Sequence, residues 1–233
     1  MAKAVFFDWF NTLAEYSPPR EEVQARACWT VGIEVEKEKL SPGILLADHY
    51  YIEENLRHPV RNRSLEEQMA LYIEMQRIVM RQVGVNPSDK LALTIVQEVG
   101  KLFADRSFAL FDDVPATLEM LKRQGATLGV ISNIDIDLEP VCQGLGIAPF
   151  LDAIVTSRQV GSTKPDAPIF LAALDQTGFE ASDAVYVGDH YPTDVLGSEK
   201  VGMRGVLLDR CSLFAGITDC PRLTTLTDLT DFV

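Results

Sequence analysis

Five short apolar runs, most of them stopping on a polar residue, set the frame for what this chain can fold into. Residues 3–7 end at Asp8, residues 126–131 end at Ser132-Asn133, residues 184–187 lead through Gly188 into Asp189, and residues 205–208 end at Asp209, with residues 153–155 as the remaining run. Periodicity alone does not separate such a run from a piece of buried helix. Their shortness and their content of β-branched and aromatic residues decide for strands. Between them lie helical patterns over residues 113–124, 137–145, 167–177 and 192–200, with Pro115 and Pro192 near starts and Gly146, Gly178 and Gly202 near stops. Strands of about five residues alternating with helices imply parallel β-α-β units with right-handed crossovers. The expectation is an α/β fold with a doubly wound, Rossmann-like parallel sheet.

One stretch breaks that rhythm. Residues 16–107 show no convincing strand, only helical patterns over 21–40, 42–56, 65–83 and 88–104. In the third, Met69, Tyr72, Ile73, Gln76, Met80 and Val83 recur at three- and four-residue spacing. Four such helices can build a core of their own. The division expected is therefore an α/β core domain from residues 1–15 and 108–233 and an inserted all-α cap domain at residues 16–107, joined by linkers near 14–19 and 108–112. The tail after Cys211 is irregular, with a terminal strand or helix expected around residues 223–232.

Charge and cysteine content narrow the partners. Lys and Arg number 21 against 34 Asp and Glu, a net charge of −13 that a nucleic-acid backbone would repel. No run approaches 18 uninterrupted apolar residues, and the opening run is too short for a signal peptide, so no membrane association is expected. Cys28, Cys142, Cys211 and Cys220 are scattered without a C-x-x-C pair, as idle reduced thiols in a cytoplasmic protein would be. What remains is a small-molecule partner; oligomeric state is open.

In a parallel α/β sheet, ligands bind beyond the carboxyl ends of the strands. Asp8, Ser132-Asn133, the loop holding Lys164, and Asp189 all belong to that edge. A single acid at a strand end is often only a cap or turn residue, and a lone lysine is often a solvated surface residue, but four polar groups at one edge make a constellation. Two carboxylates there suit a hard cation such as magnesium, which needs few protein ligands. A hydroxyl, an amide and an ammonium beside it suit an anionic group.

The sequence resembles the haloacid dehalogenase superfamily along its whole length. Phe7-Asp8-Trp9-Phe10-Asn11-Thr12-Leu13 is similar to the first motif of that superfamily, and Val130-Ile131-Ser132-Asn133 to the second. Ser162-Thr163-Lys164-Pro165-Asp166-Ala167-Pro168-Ile169-Phe170 is similar to the third and Val187-Gly188-Asp189-His190-Tyr191-Pro192-Thr193-Asp194 to the fourth. The resemblance implies that Asp8 is a nucleophile forming a covalent aspartyl intermediate. It implies Mg2+ between Asp8, the main-chain carbonyl of Phe10 and Asp189, with Asp194 either supporting the metal or acting on the first turn of the following helix. It implies that Lys164 neutralises the nucleophile and that Ser132 donates to the transferring group. Asn133, through its amide, and Thr12 fall on the substrate side.

The match departs at one position. Phosphatases of the superfamily usually carry a second Asp two residues after the nucleophile, which protonates the leaving oxygen and then activates water. Here that residue is Phe10, followed by Asn11 where glycine is usual. Losing a general acid/base lowers a rate by roughly 10²–10⁴-fold. Three readings stay open. The first is a magnesium-dependent phosphohydrolase, with a substrate whose leaving group needs no proton or with an acid from His190, His49 or His58. The second is hydrolysis of a small 2-haloacid, with Arg20, Arg26 or Arg57 as halide receivers, or a phosphonate-cleaving relative using Lys37 or Lys39. The third is a non-catalytic descendant that binds phosphate or a partner. Trp9, Trp29, Tyr50 and Tyr51 are candidates to line a cleft.

Overall fold

A computed structural model describes residues 3–231 of the chain. The chain divides into two compact units, one from Met1–Glu15 with Phe108–Val233 and the other from Tyr16–Ser107.

The first unit is built on a six-stranded, all-parallel sheet of β1 (Ala4–Phe7), β4 (Thr127–Ser132), β5 (Ala153–Thr156), β6 (Ala184–Gly188), β7 (Arg204–Leu208) and β8 (Arg222–Leu223), in the order β5-β4-β1-β6-β7-β8. β1 lies in the middle because its four residues AVFF are buried on both faces, which only an interior parallel strand allows. Its register fixes the strand ends, since Phe7 sits opposite Val130 of β4 and Val187 of β6. After β5 the chain returns past β1 to build β6, so the strand order reverses around β1, the place where doubly wound sheets keep their ligands.

Side chains alternate across the sheet with a period of two. Val5, Phe7, Leu128, Val130, Val185 and Val187 face one layer with Val114, Leu118 and Leu121 of α5 (Val114–Arg123). Ala4, Phe6 and Tyr186 face the other with Ile169, Phe170 and Leu174 of α8 (Ala167–Thr177). Each fully buried large side chain contributes about 1.5–3 kcal/mol. The short helices α6 (Glu139–Gly144), α7 (Ser157–Val160) and α9 (Leu196–Glu199) complete the unit.

The second unit holds α1 (Arg20–Thr30), α2 (Ser41–Arg57), α3 (Leu65–Gln82) and α4 (Asp89–Leu102). Its core is Ala27, Cys28, Met80 and Ile95, with a second cluster of Leu40, Ile44, Ala47 and Val79. Ser64 and Glu67 form a reciprocal capping box that starts α3. Within this unit Arg20 pairs with Asp48 at 2.6 Å.

Three expectations need correction. The pattern over residues 21–40 is not one helix. α1 ends at Thr30, Gly32 takes φ +81°, and a 3-10 turn follows at Lys37–Lys39. Val31, Ile33 and Val35 are β-branched residues that resist helix next to a left-handed glycine. The supposed linkers carry paired strands, β2 (Ala14–Ser17) with β3 (Ser107–Leu110). The segment after β6 is a wide π-type turn over Tyr191–Val195 running into α9. The tail gives β8 and a 3-10 turn over Leu226–Asp231, while Phe232 lies outside the described residues. Among the described residues no helix is long and apolar enough to cross a membrane.

Candidate active site

The carboxyl ends of β4, β1 and β6 stand side by side, and the sheet register places Ser132, Asp8 and Asp189 on them. Asp8 continues the ladder one step past β1, its main-chain N–H donating to Val187 O at 2.8 Å. The turn that follows passes through Asn11 at φ +63°. Asparagine is among the few non-glycine residues that adopt this conformation readily. The turn delivers the Asn11 carboxamide to Asp189, Nδ2 donating to Oδ2 at 3.2 Å.

Lys164 enters from the loop before α8 and is almost completely buried. Its ammonium donates to Asp8 Oδ1 at 2.5 Å, to Asp194 Oδ1 at 2.7 Å and to the Tyr186 hydroxyl at 2.8 Å. The loop is held by Asn133, whose Oδ1 accepts from Lys164 N at 2.6 Å while its Nδ2 donates to Lys164 O at 2.9 Å. Asn133 thus grips the lysine's backbone with both ends of its side chain, a task the motif does not reveal.

Asp194 sits in the wide turn after β6. Its Oδ2 accepts from His190 N at 2.9 Å, and its Oδ1 takes Lys164 and the Tyr186 hydroxyl, the latter at 3.3 Å. This approach is possible only because residue 188 is glycine, since a Cβ there would stand 2.4 Å from Asp194 Cγ. These hydrogen bonds tie Asp194 both to the turn and to Lys164.

Carboxylate oxygens of Asp8, Asp189 and Asp194 lie within 4.8 Å of one another, and all three residues are buried. Two of the three, Asp8 and Asp194, share the Lys164 ammonium, while Asp189 accepts from Asn11. The Asp8 carboxyl is pushed up to about 7, by burial above all and by Asp194 and Asp189, against the downward pull of Lys164. Burial works to lower the Lys164 ammonium, but Asp194 and Asp8 outweigh it and hold the lysine charged, above its ordinary value. An all-oxygen cluster with excess negative charge fits a hard divalent cation.

The remaining sequence candidates fall as follows. Ser132 is buried at the end of β4. Thr12 is buried, its carbonyl accepts from Arg210 at 2.8 Å, and its hydroxyl meets no hydrogen-bond partner. Phe10 is half-buried and packs against the apolar layer that holds Val5, Phe7 and Val114. His190 is buried, with Nδ1 2.9 Å from Thr193 Oγ1. In the helical unit Arg57 pairs with Glu54 at 2.8 Å, and Trp29 is 67% exposed. Sequence reasoning missed Tyr186, which reads as a core aromatic in the middle of β6.

The haloacid dehalogenase-like hydrolase family profile matches residues 49–208. The chain belongs to that family. As a haloacid dehalogenase-like hydrolase it is 31% identical over 207 residues to the human (Homo sapiens) haloacid dehalogenase-like hydrolase domain-containing protein 3, covering 87% of this chain and 80% of that one. A 41% identical stretch shared with the protein of the same name from Danio rerio covers 45% of this chain and 43% of the relative, less than half its length. The ribulose-1,5-bisphosphate 5-phosphatase of Halopiger xanaduensis is 27% identical over 90% of this chain and 85% of its own. Among solved structures, a 2-haloacid dehalogenase from Pseudomonas syringae pv. Tomato DC3000 superposes with a TM-score of 0.57 at 25% identity, covering 99% of this chain and 97% of that one.

Proposed function

We propose that this hydrolase is a magnesium-dependent phosphatase acting on a small phosphorylated metabolite through an aspartyl-phosphate on Asp8. The observation that carries the reading is the buried Asp8–Asp189–Asp194 cluster, whose oxygens lie within 4.8 Å of one another, with Asp8 and Asp194 sharing the Lys164 ammonium. Asp8, Asp189 and the carbonyl of Phe10 would hold the ion, with Asp194 behind them. Magnesium when bound supplies positive charge that lets a carboxylate approach an anionic phosphoryl group.

The protein's own groups account for the rest. An Asp8 carboxylate oxygen attacks phosphorus, the bond from phosphorus to the leaving oxygen breaks, and the leaving group takes the electron pair. Water then hydrolyses the aspartyl-phosphate and restores Asp8. Lys164, kept charged by its carboxylate neighbours, holds Asp8 and offsets the charge gathering on the transferring oxygens. Ser132 and the main-chain amide of Asn133 offer hydrogen bonds at the adjoining strand end, and Thr12 stands on the turn after Asp8.

Phe10 brings no proton to the leaving oxygen. The substrate class that fits is one whose leaving group departs as a stable anion, such as an acyl phosphate or other anhydride. The names of two relatives, a ribulose-1,5-bisphosphate 5-phosphatase and a glyceraldehyde 3-phosphate phosphatase, support phosphate over halide chemistry. So does the retained Gly188-Asp189, which 2-haloacid dehalogenases of the superfamily lack. The test follows phosphate and halide release side by side over acyl, aryl and alkyl phosphates and 2-haloacids, with and without magnesium. Phosphate release abolished by chelation and by Asp8→Asn is expected. Chelator-resistant halide release would overturn the reading in favour of dehalogenation, and silence in both arms would leave a non-catalytic binding protein.

A further inference from the structure

We infer that Tyr186 is a positioning residue for Lys164, holding its ammonium against Asp8 through the phenol hydroxyl; this rests on the proposed role of Asp8 as nucleophile. A lysine ammonium has three N–H donors. Here three oxygens meet it: Asp8 Oδ1 at 2.5 Å, Asp194 Oδ1 at 2.7 Å and Tyr186 Oη at 2.8 Å. With two acceptors fixed on β6 and the turn after it, the direction left to the remaining N–H is that of Asp8.

The tyrosine hydroxyl is itself fixed. Its one proton has two acceptors in reach, Ile131 O at 3.1 Å, the carbonyl immediately before Ser132, and Asp194 Oδ1 at 3.3 Å. One hydroxyl therefore joins the strand end carrying Ser132, the loop carrying Lys164 and the strand leading to Asp189. Packing alone does not call for it. The ring meets Phe170 edge to face with centroids 5.3 Å apart, a contact that phenylalanine would make equally well. A fully buried hydroxyl is costly to desolvate unless it is hydrogen-bonded, and this one is engaged on both its donor and acceptor sides.

The experiment compares the parent with Tyr186→Phe. Magnesium-dependent turnover of p-nitrophenyl phosphate reads kcat and KM, and 1H–15N NMR reads hydrogen exchange of the Lys164 Nζ protons, with the signal assigned by its loss in Lys164→Met. Loss of a hydrogen bond to a charged group predicts a fall in kcat of about tenfold to a hundredfold. KM should stay within about twofold, and Nζ exchange should be at least tenfold faster. A folded Tyr186→Phe protein with unchanged kcat, or with unchanged Nζ exchange, overturns the inference. If the variant does not fold, the parent decides: a nuclear Overhauser contact between the Lys164 Nζ protons and Tyr186 supports it, and its absence overturns it. The exchange measurement needs no substrate, and turnover that survives Asp8→Asn would sink the phosphatase reading without touching the exchange result.

Discussion

Phe10 stands two residues after Asp8, the proposed nucleophile, where the superfamily's phosphatases usually keep an acid, and its half-buried ring packs against the apolar layer under the sheet. Phe10→Asp restores a proton donor and base at that place. Turnover of an alkyl phosphate should rise at least tenfold, toward the roughly 10²–10⁴-fold that general acid/base catalysis supplies. A folded variant no faster than the parent would show that Phe10 was not limiting. Asn133 makes a second residue-scale case. Asn133→Ala removes both hydrogen bonds to the Lys164 backbone, and kcat should fall about tenfold with the thermal midpoint lowered, each part-buried hydrogen bond contributing about 0.5–1.5 kcal/mol. The main residues of the site, Asp8, Ser132, Lys164 and Asp189, were legible because each sits at a strand end or in a motif of fixed spacing. The jobs of Tyr186 and of the Asn133 side chain were not, because a tyrosine inside VYVG reads only as a buried strand residue.

At the scale of elements, the join between β6 and α9 decides how close Asp194 comes. Gly188→Ala would set a methyl 2.4 Å from Asp194 Cγ, so the turn must move. We expect loss of turnover together with destabilisation beyond about 1 kcal/mol, measured by activity and chemical denaturation in parallel. α5 is tied to the C-terminal segment by Asp113, which accepts from Arg210 at 2.8 and 2.9 Å, from Thr225 at 2.9 Å and from Leu226 N at 2.8 Å. Burial works to raise the Asp113 carboxyl, but the hydrogen bonds from Arg210, Leu226 and Thr225 carry it below its ordinary value. A depressed folded value means stability that is present above the unfolded value and lost as pH falls through the folded one. Asp113→Asn should therefore lower stability at neutral pH and flatten the acid limb below about pH 4, which denaturation across pH 2–7 would test. A variant as stable as the parent at pH 7 would show that the carboxylate does not hold α5 to the tail.

For the molecule as a whole, the buried carboxylates are an electrostatic load that a bound cation would relieve. Stabilisation by a ligand grows with its concentration over Kd and reaches about 2.7 kcal/mol at a hundredfold excess. Magnesium should raise the thermal midpoint, chelation should reverse the rise, and Asp189→Asn should abolish it. A midpoint indifferent to magnesium would count against the ion. The alternation of strands and helices and the helical insertion were readable along the chain, because periods of two and of 3.6 are local properties. The split of α1 and the wide turn at Tyr191–Val195 were not, because a positive-φ glycine and an inward-turned Asp194 override helical spacing.

By itself, the sequence determined a parallel α/β sheet with its candidate site residues at strand ends and in one loop, since alternation, glycine stops and motif spacing are written within a few neighbouring positions. Only the tertiary structure decided which partners those side chains keep. Lys164 meets Asp8 across 156 positions, Tyr186 across 22 and Asp194 across 30. Contacts between segments so far apart are fixed by strand order and register, and no local pattern encodes them.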